Sequence, residues 1–224
     1  MTIQKRSRED IAIMIAKDIP DGSYVNLGIG LPTHVAKYLP KDKEIFLHSE
    51  NGVLAFGPPP AEGEEDQDLV NAGKELVTLL SGGCFMHHGD SFDIMRGGHL
   101  DICVIGAFQV ALNGDLANWH TGKDDDVPAV GGAMDLAVGA KRIFVYMEHI
   151  TKKGEPKIVK YLTYPITGEQ CVDRIYTDLC TIELKDGQAY VIEMVDGLDF
   201  DTLQALTECP LINQCTYSSL IQLR

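Results

Sequence analysis

The chain has 224 residues, 45% of them hydrophobic, which is enough to bury a substantial core and falls in the range of one large domain spanning 1–224. Its formal net charge of -14, from 19 Lys and Arg against 33 Asp and Glu, provides no basic face for a phosphate backbone, which excludes nucleic acid as a natural partner. No run approaches the ~18 apolar residues that span a bilayer. Met1 to Ser7 lead into an amphipathic pattern rather than the continuous apolar segment of a signal peptide, so no membrane partner is expected. The cysteines Cys84, Cys103, Cys171, Cys180, Cys209 and Cys215 show no C-x-x-C spacing, and most sit among apolar or β-branched neighbours. That usage fits a reducing, cytoplasmic compartment.

Ser7-Arg8-Glu9-Asp10 reads as a helix start with an acidic first turn; Ile11, Met14, Ile15 and Ile19 then share one face until Pro20-Asp21-Gly22 ends it. A strand from Tyr24 to Leu27, a glycine turn Gly28-Ile29-Gly30 and a helix from about Pro32 follow. Further strand-like runs are Glu44 to His48, Leu76 to Leu80, Asp101 to Ile105 and Arg142 to Met147, with a short helix, Ala133 to Val138, opening from Gly131-Gly132. Strands alternating with helices predict an α/β fold with an open, largely parallel sheet flanked by helices. Asp173 to Leu184 and Gln188 to Val195 are rich in Ile, Val, Tyr and Thr around Asp186-Gly187, a type I′ turn signal, so an antiparallel hairpin is expected to close the sheet edge near the C-terminus. Cys209 to Arg224 support no prediction. The acidic stretches Glu62 to Asp68 and Asp124-Asp125-Asp126 read as solvated loops rather than metal sites.

Glu50 is the residue with the most chemical promise. It follows a strand-like run and sits in Ser49-Glu50-Asn51-Gly52, where an Asn-Gly turn would hold a carboxylate in the crevice at the carboxyl end of the sheet. Taken alone, the same tetrapeptide also fits a solvated turn. Gly28-x-Gly30 with an acid 20 residues on loosely imitates a dinucleotide fingerprint, but Thr33 stands at the third glycine and three prolines follow Glu50. His87, His88, Asp90, Asp93, His99 and Asp101 are metal-ligand types without a metal-site spacing; His87 and His88 read as loop or interface residues, and His99 with Asp101 as the start of a strand. Arg96 fits a structural salt bridge better than a substrate clamp. No G-x-S-x-G or G-x-x-x-x-G-K-[ST] motif is present, which disfavours a hydrolase and an ATP-driven ligase.

Six segments together carry a family resemblance: NLGIGLPT (26–33), HSENGVLAFG (48–57), RGGHLDICVIGAFQV (96–110), GDLANW (114–119), GGAMDLAVGAKR (131–142) and CVDRIYTDL (171–179). They resemble the B subunits of class I CoA-transferases over nearly the whole chain. The pairing of SENG with a later GGAMDL is the specific part. FLHSENG, the acidic loop PAEGEEDQDLVNAGK, HHGDSFDIMRGGHLD and ANWHTG look most like the branch that serves 3-oxoadipate with succinyl-CoA as donor. SENG and GGAMDL are shared with acetoacetate- and acetate-type enzymes, so they imply mechanism rather than acceptor.

The resemblance implies that Glu50 is the nucleophile, passing through an acyl-glutamyl anhydride to an enzyme–CoA thioester. It further implies that Asn26 and the Gly131 backbone N–H stabilise the oxyanion, with Gly132 beside them, and that Gly28 and Gly30 line the CoA or acyl pocket. No cofactor or metal is implied, since the CoA thioester is itself a substrate. The family's A subunit carries a glycine-rich V-G-G-F-G loop that this chain lacks: Gly82-Gly83-Cys84-Phe85 and Gly106-Ala107-Phe108 do not match it. The expected partners are thus an A subunit, in a heterodimer or its doubled form, with succinyl-CoA and a 3-oxo acid as substrates. The reading of a different class is a non-catalytic ligand-binding protein that kept the fold.

Overall fold

The computed structural model describes residues 3–122, 127–128 and 130–215; the Asp124 to Asp126 triplet and Tyr217 to Ser219 fall outside the described residues. Helix α1 (Arg8–Asp18) opens on a reciprocal capping box, Asp10 N–H donating to Ser7 Oγ at 3.1 Å and Ser7 N–H to the Asp10 carboxylate at 2.8 Å. Ile11, Ile15 and Ile19, four residues apart, are fully buried with Ala12 and Ala16. Burying an isoleucine of this kind stabilises the fold by about 1.5–3 kcal/mol.

The strands in chain order are β1 (Tyr24–Leu27), β2 (Phe46–Ser49), β3 (Val53–Phe56), β4 (Leu79–Phe85), β5 (Ile102–Ile105), β6 (Gln109–Ala111) and β7 (Leu116–Ala117). They continue as β8 (Ile143–Tyr146), β9 (Ile158–Val159), β10 (Val172–Tyr176), β11 (Cys180–Lys185), β12 (Gln188–Met194) and β13 (Leu211–Asn213). Ten of them form one sheet in the order β13-β12-β11-β10-β8-β5-β1-β2-β3-β4, while β7, β6 and β9 form a small second sheet. The centre, β2-β1-β5-β8-β10, is parallel. Its flanks turn antiparallel, β2-β3-β4 on one side and β10-β11-β12 on the other. The expected α/β architecture is therefore present.

The two-residue period of the central strands divides the core between the two sheet faces. Ile102 and Val104 of β5 join Ile11, Ile15, Val25 and Tyr146 on one face; Cys103 and Ile105 join Met95, Leu136, Val145 and Ile175 on the other. The second face is packed with α2 (His88–Arg96) and α3 (Ala133–Gly139); a fourth helix, α4 (Phe200–Ala205), lies near the C-terminal end of the chain.

Several expectations are corrected. The helix at Pro32 is a 3-10 helix, Leu31–Tyr38, rather than an α-helix. Between the Glu50 turn and the prolines lies strand β3, which was not foreseen, and the strand sought at Leu76 to Leu80 is displaced to Leu79–Phe85. His87 and His88 do not lie in a loop: the His87 ring caps α2 by accepting from Gly89 N–H at 3.1 Å, and His88 is the first helical residue. Asp173 to Leu184 is two strands, broken at Thr177 to Leu179 where Cys180 N–H donates to Thr177 Oγ1 at 3.0 Å. The Asp186-Gly187 turn does have positive φ at both residues, 53° and 70°. Its hairpin, however, is not the edge, because β13 pairs in parallel with β12 beyond it.

Candidate active site

Asn26 and His48 are register partners on adjacent parallel strands near their carboxyl ends, where an open α/β sheet forms its ligand crevice. Past β1, Gly28 donates its N–H to Val104 O at 2.8 Å, and a Cβ there would press on that oxygen at 3.2 Å. Gly30, at φ 96°, starts the 3-10 helix.

Glu50 lies in the tight turn joining β2 to β3. Gly52 N–H closes the turn onto Ser49 O at 2.9 Å, and Met86 N–H donates to Gly52 O at 2.9 Å. Only glycine suits position 52: its φ is 106° and a Cβ would collide with Met86 O. Within the Asn-Gly pair it is Gly52 that carries the positive φ, while Asn51 Nδ2 donates to Val70 O at 2.8 Å. Ala72 N–H donates to Ser49 Oγ at 2.8 Å. The turn is thus clamped from both sides.

The Glu50 side chain is half-buried beside the start of α3. Its Oε2 occupies space that a side-chain carbon at Gly132 would need, and that same carbon would stand 3.4 Å from Phe92 Cζ. Oε2 is buried and makes no hydrogen bond of normal geometry. Burial pushes the Glu50 carboxyl above its ordinary range; His88 pulls it down, Asp135 pushes it up, and the neighbouring Gly132 N–H lowers it slightly. Arg96 is held away from this role by Asp135, with Nε 2.7 Å from Oδ1, and its guanidinium lies 5.3 Å from the Phe92 ring centre.

The six sequence-selected positions do not all share one surface. Asn26, Gly28 and Glu50 line one cavity of about 860 Å³, which also reaches His34, Lys37, Lys41 and Lys74. Gly132 abuts the carboxylate, whereas Gly131, at φ 47°, has open space around its α-carbon, and Gly30 lines a neighbouring shallow groove. Of the two adjacent glycines it is Gly132 that meets the Glu50 carboxylate. Asn26 does not point its amide freely into the cavity: Nδ2 is 3.1 Å from His48 Nδ1 and donates to His48 O at 3.2 Å. Asp101, one of the metal-ligand types, instead accepts from Tyr24 N–H at 2.9 Å and Lys141 Nζ at 2.8 Å.

Sequence reasoning missed His88, Ser91 and Phe92 as neighbours of the site. The available signal was the spacing of Ser91 and Met95, which places one buried face on a helix through HHGDSFDIMR.

A carboxylate that is partly desolvated, short of hydrogen-bond donors and set against backbone at a helix start is built to react rather than to be solvated. Comparison with known proteins agrees with that chemistry. The family profile described as Coenzyme A transferase matches residues 8–205. The chain is 68% identical to the B subunit of 3-oxoadipate CoA-transferase from Acinetobacter baylyi, over 95% of this chain and 98% of that protein. It is 62% identical to the protein of the same description from Pseudomonas putida, over 95% and 100%. Among solved structures, an acyl-CoA transferase apoenzyme from Escherichia coli O157:H7 superposes with a TM-score of 0.73 at 17% identity; 95% of this chain matches 43% of that longer one, which supports the fold alone. With a profile match across most of its length and relatives this similar, the chain belongs to the coenzyme A transferase family.

Proposed function

We propose that this chain is the B-type subunit of an enzyme that moves CoA from succinyl-CoA to 3-oxoadipate, with Glu50 as the covalent carrier. The carrying observation is the Glu50 carboxylate, whose Oε2 is buried without a hydrogen-bond partner at the wall of a large cavity. The 62% and 68% identity to two B subunits of 3-oxoadipate CoA-transferases supports the acceptor assignment.

A carboxylate oxygen of Glu50 attacks the thioester carbonyl of succinyl-CoA, and the tetrahedral intermediate expels CoA thiolate to leave a succinyl-glutamyl anhydride. The thiolate then attacks the glutamyl carbonyl, succinate leaves, and the γ-glutamyl thioester of CoA remains. 3-Oxoadipate runs the same steps in reverse. The backbone at Gly131-Gly132 supplies donors to the oxyanions, and the Asn26 amide joins them by exchanging its hydrogen bond to His48 O for one to the oxyanion; one such donor typically lowers a barrier by about 3 kcal/mol. No metal or redox cofactor enters these steps, because the thioester supplies the activation.

Both relatives are B subunits by description, which supports pairing with an A subunit, one to one or doubled, that completes the acyl site. Free cysteines and the absence, among the described residues, of a helix long and apolar enough to cross a membrane support action in the cytoplasm. Co-expression with the partner chain, then thioester exchange from succinyl-CoA to 3-oxoadipate, acetoacetate and acetate in parallel, tests the assignment. Preference for 3-oxoadipate is expected; preference for acetoacetate would overturn the acceptor assignment.

A further inference from the structure

Four buried polar groups between β1, β2 and α2 form a chain of hydrogen bonds that ends at the nucleophile's own peptide. Asn26, His48, Ser49 and Ser91 are 3%, 1%, 4% and 0% exposed. Ser91 Oγ lies 2.9 Å from His48 Nε2 and donates its single proton to Ser49 O at 3.3 Å. Having given that proton away, the hydroxyl can only accept from His48, so Nε2 carries the imidazole proton. Nδ1 is then a bare acceptor, which is what the Asn26 amide at 3.1 Å requires. Every proton in the series Asn26 N–H, His48 Nε2–H, Ser91 O–H therefore points one way, toward the Ser49 carbonyl. That carbonyl belongs to the peptide group from which Glu50 begins.

We propose that His48 and Ser91 are positioning residues for thioester formation: together they fix the rotamer of Asn26 and the Ser49–Glu50 peptide, and so the angle at which the Glu50 carboxylate meets the acyl carbon. This rests on Glu50 being the nucleophile. A neutral histidine is needed, because a second ring proton would face the Asn26 N–H; burial accordingly holds His48 down at about 4, against a smaller upward effect of Ser91. The arrangement is directional and joins three separate elements, whereas packing alone would be served by an apolar side chain of similar volume.

The test is single-turnover formation of the enzyme–CoA thioester in the co-expressed two-chain complex carrying His48→Leu, His48→Gln or Ser91→Ala. His48→Leu should slow the rate constant by roughly 100-fold while the amplitude, which counts folded sites, stays near that of the parent complex. Glutamine, which keeps one neutral acceptor and one donor, should restore most of the rate, and Ser91→Ala should fall between them. A rate constant unchanged in His48→Leu, a loss confined to amplitude, or a glutamine variant as slow as leucine would overturn the proposal. If His48→Leu yields no folded complex, Ser91→Ala decides: a slowed rate constant at full amplitude supports the role, an unchanged one refutes it. Failure of the parent complex to form any thioester on Glu50 would instead strike the nucleophile assignment itself.

Discussion

Glu50 Oε2 and the α-carbon of Gly132 stand so close that no side-chain carbon fits between them. The residue capping the N-terminus of α3 is thereby tied to the carboxylate 82 positions earlier in the chain, and the glycine is required by space rather than by backbone angle: its φ of -86° suits any residue.

Gly132→Ala should for that reason harm activity far more than folding. The added methyl group must displace the Glu50 carboxylate or the Phe92 ring, and a displacement near 1 Å costs on the order of 100-fold in rate. Steady-state exchange beside a thermal melt checks this: activity should fall by about that factor with the melting temperature lowered by only a few degrees. A variant of normal activity would show that the carboxylate works from another position.

Burial raises the Glu50 carboxyl above its unfolded range, so the native state binds its proton more tightly than the unfolded chain does. The native carboxylate therefore loses stability relative to the unfolded state as pH rises from the ordinary carboxylate range through the raised value. Glu50→Gln removes that penalty. The variant should be more stable than the parent at neutral pH, and the difference should shrink as pH falls below the ordinary carboxylate range. Urea titrations at pH 7 and pH 4 measure both points; equal stability of the two proteins at pH 7 would contradict the burial argument.

A second histidine sets acid sensitivity away from the active site. His149 is fully buried between Thr177 Oγ1, 3.1 Å from Nδ1, and Thr207 Oγ1, 2.9 Å from Nε2. Burial lowers it to about 4, opposed by nearby Asp178. The unfolded chain thus binds a proton that the native state refuses between the usual histidine value and about 4, so stability is lost as pH falls through that window. The loss amounts to roughly 3 kcal/mol for a shift of this size. His149→Gln should flatten the decline of unfolding free energy between pH 6.5 and 4 relative to the parent; a slope that does not change would assign the acid sensitivity elsewhere.

The sequence made the central sheet legible because β1, β5 and β8 are short apolar runs punctuated by Gly, Pro and charged residues, and α1 announces itself with Ser7 and Asp10. The β3-β4 arm was not legible. Pro58 to Pro60 suggest a loop, and β4 is largely exposed with Gly82-Gly83 in its middle, so neither alternation nor turn chemistry marks a pairing made across more than 20 residues. The break between β10 and β11 contains neither Gly nor Pro and is held by Thr177 side-chain bonds, which no local pattern predicts. At the site, Glu50 and Asn26 were readable from strand ends and a turn. The closeness of Gly132 to that carboxylate was not, because which of two adjacent glycines meets it depends on how α3 packs against α2.

Every role assigned to the residues around the cavity depends on Glu50 carrying the CoA. The most direct test is the rate of thioester exchange in the co-expressed complex with Glu50→Ala. Loss on the order of 10⁴-fold or more, with the complex still assembled, is the predicted result. Exchange at the parental rate would contradict it.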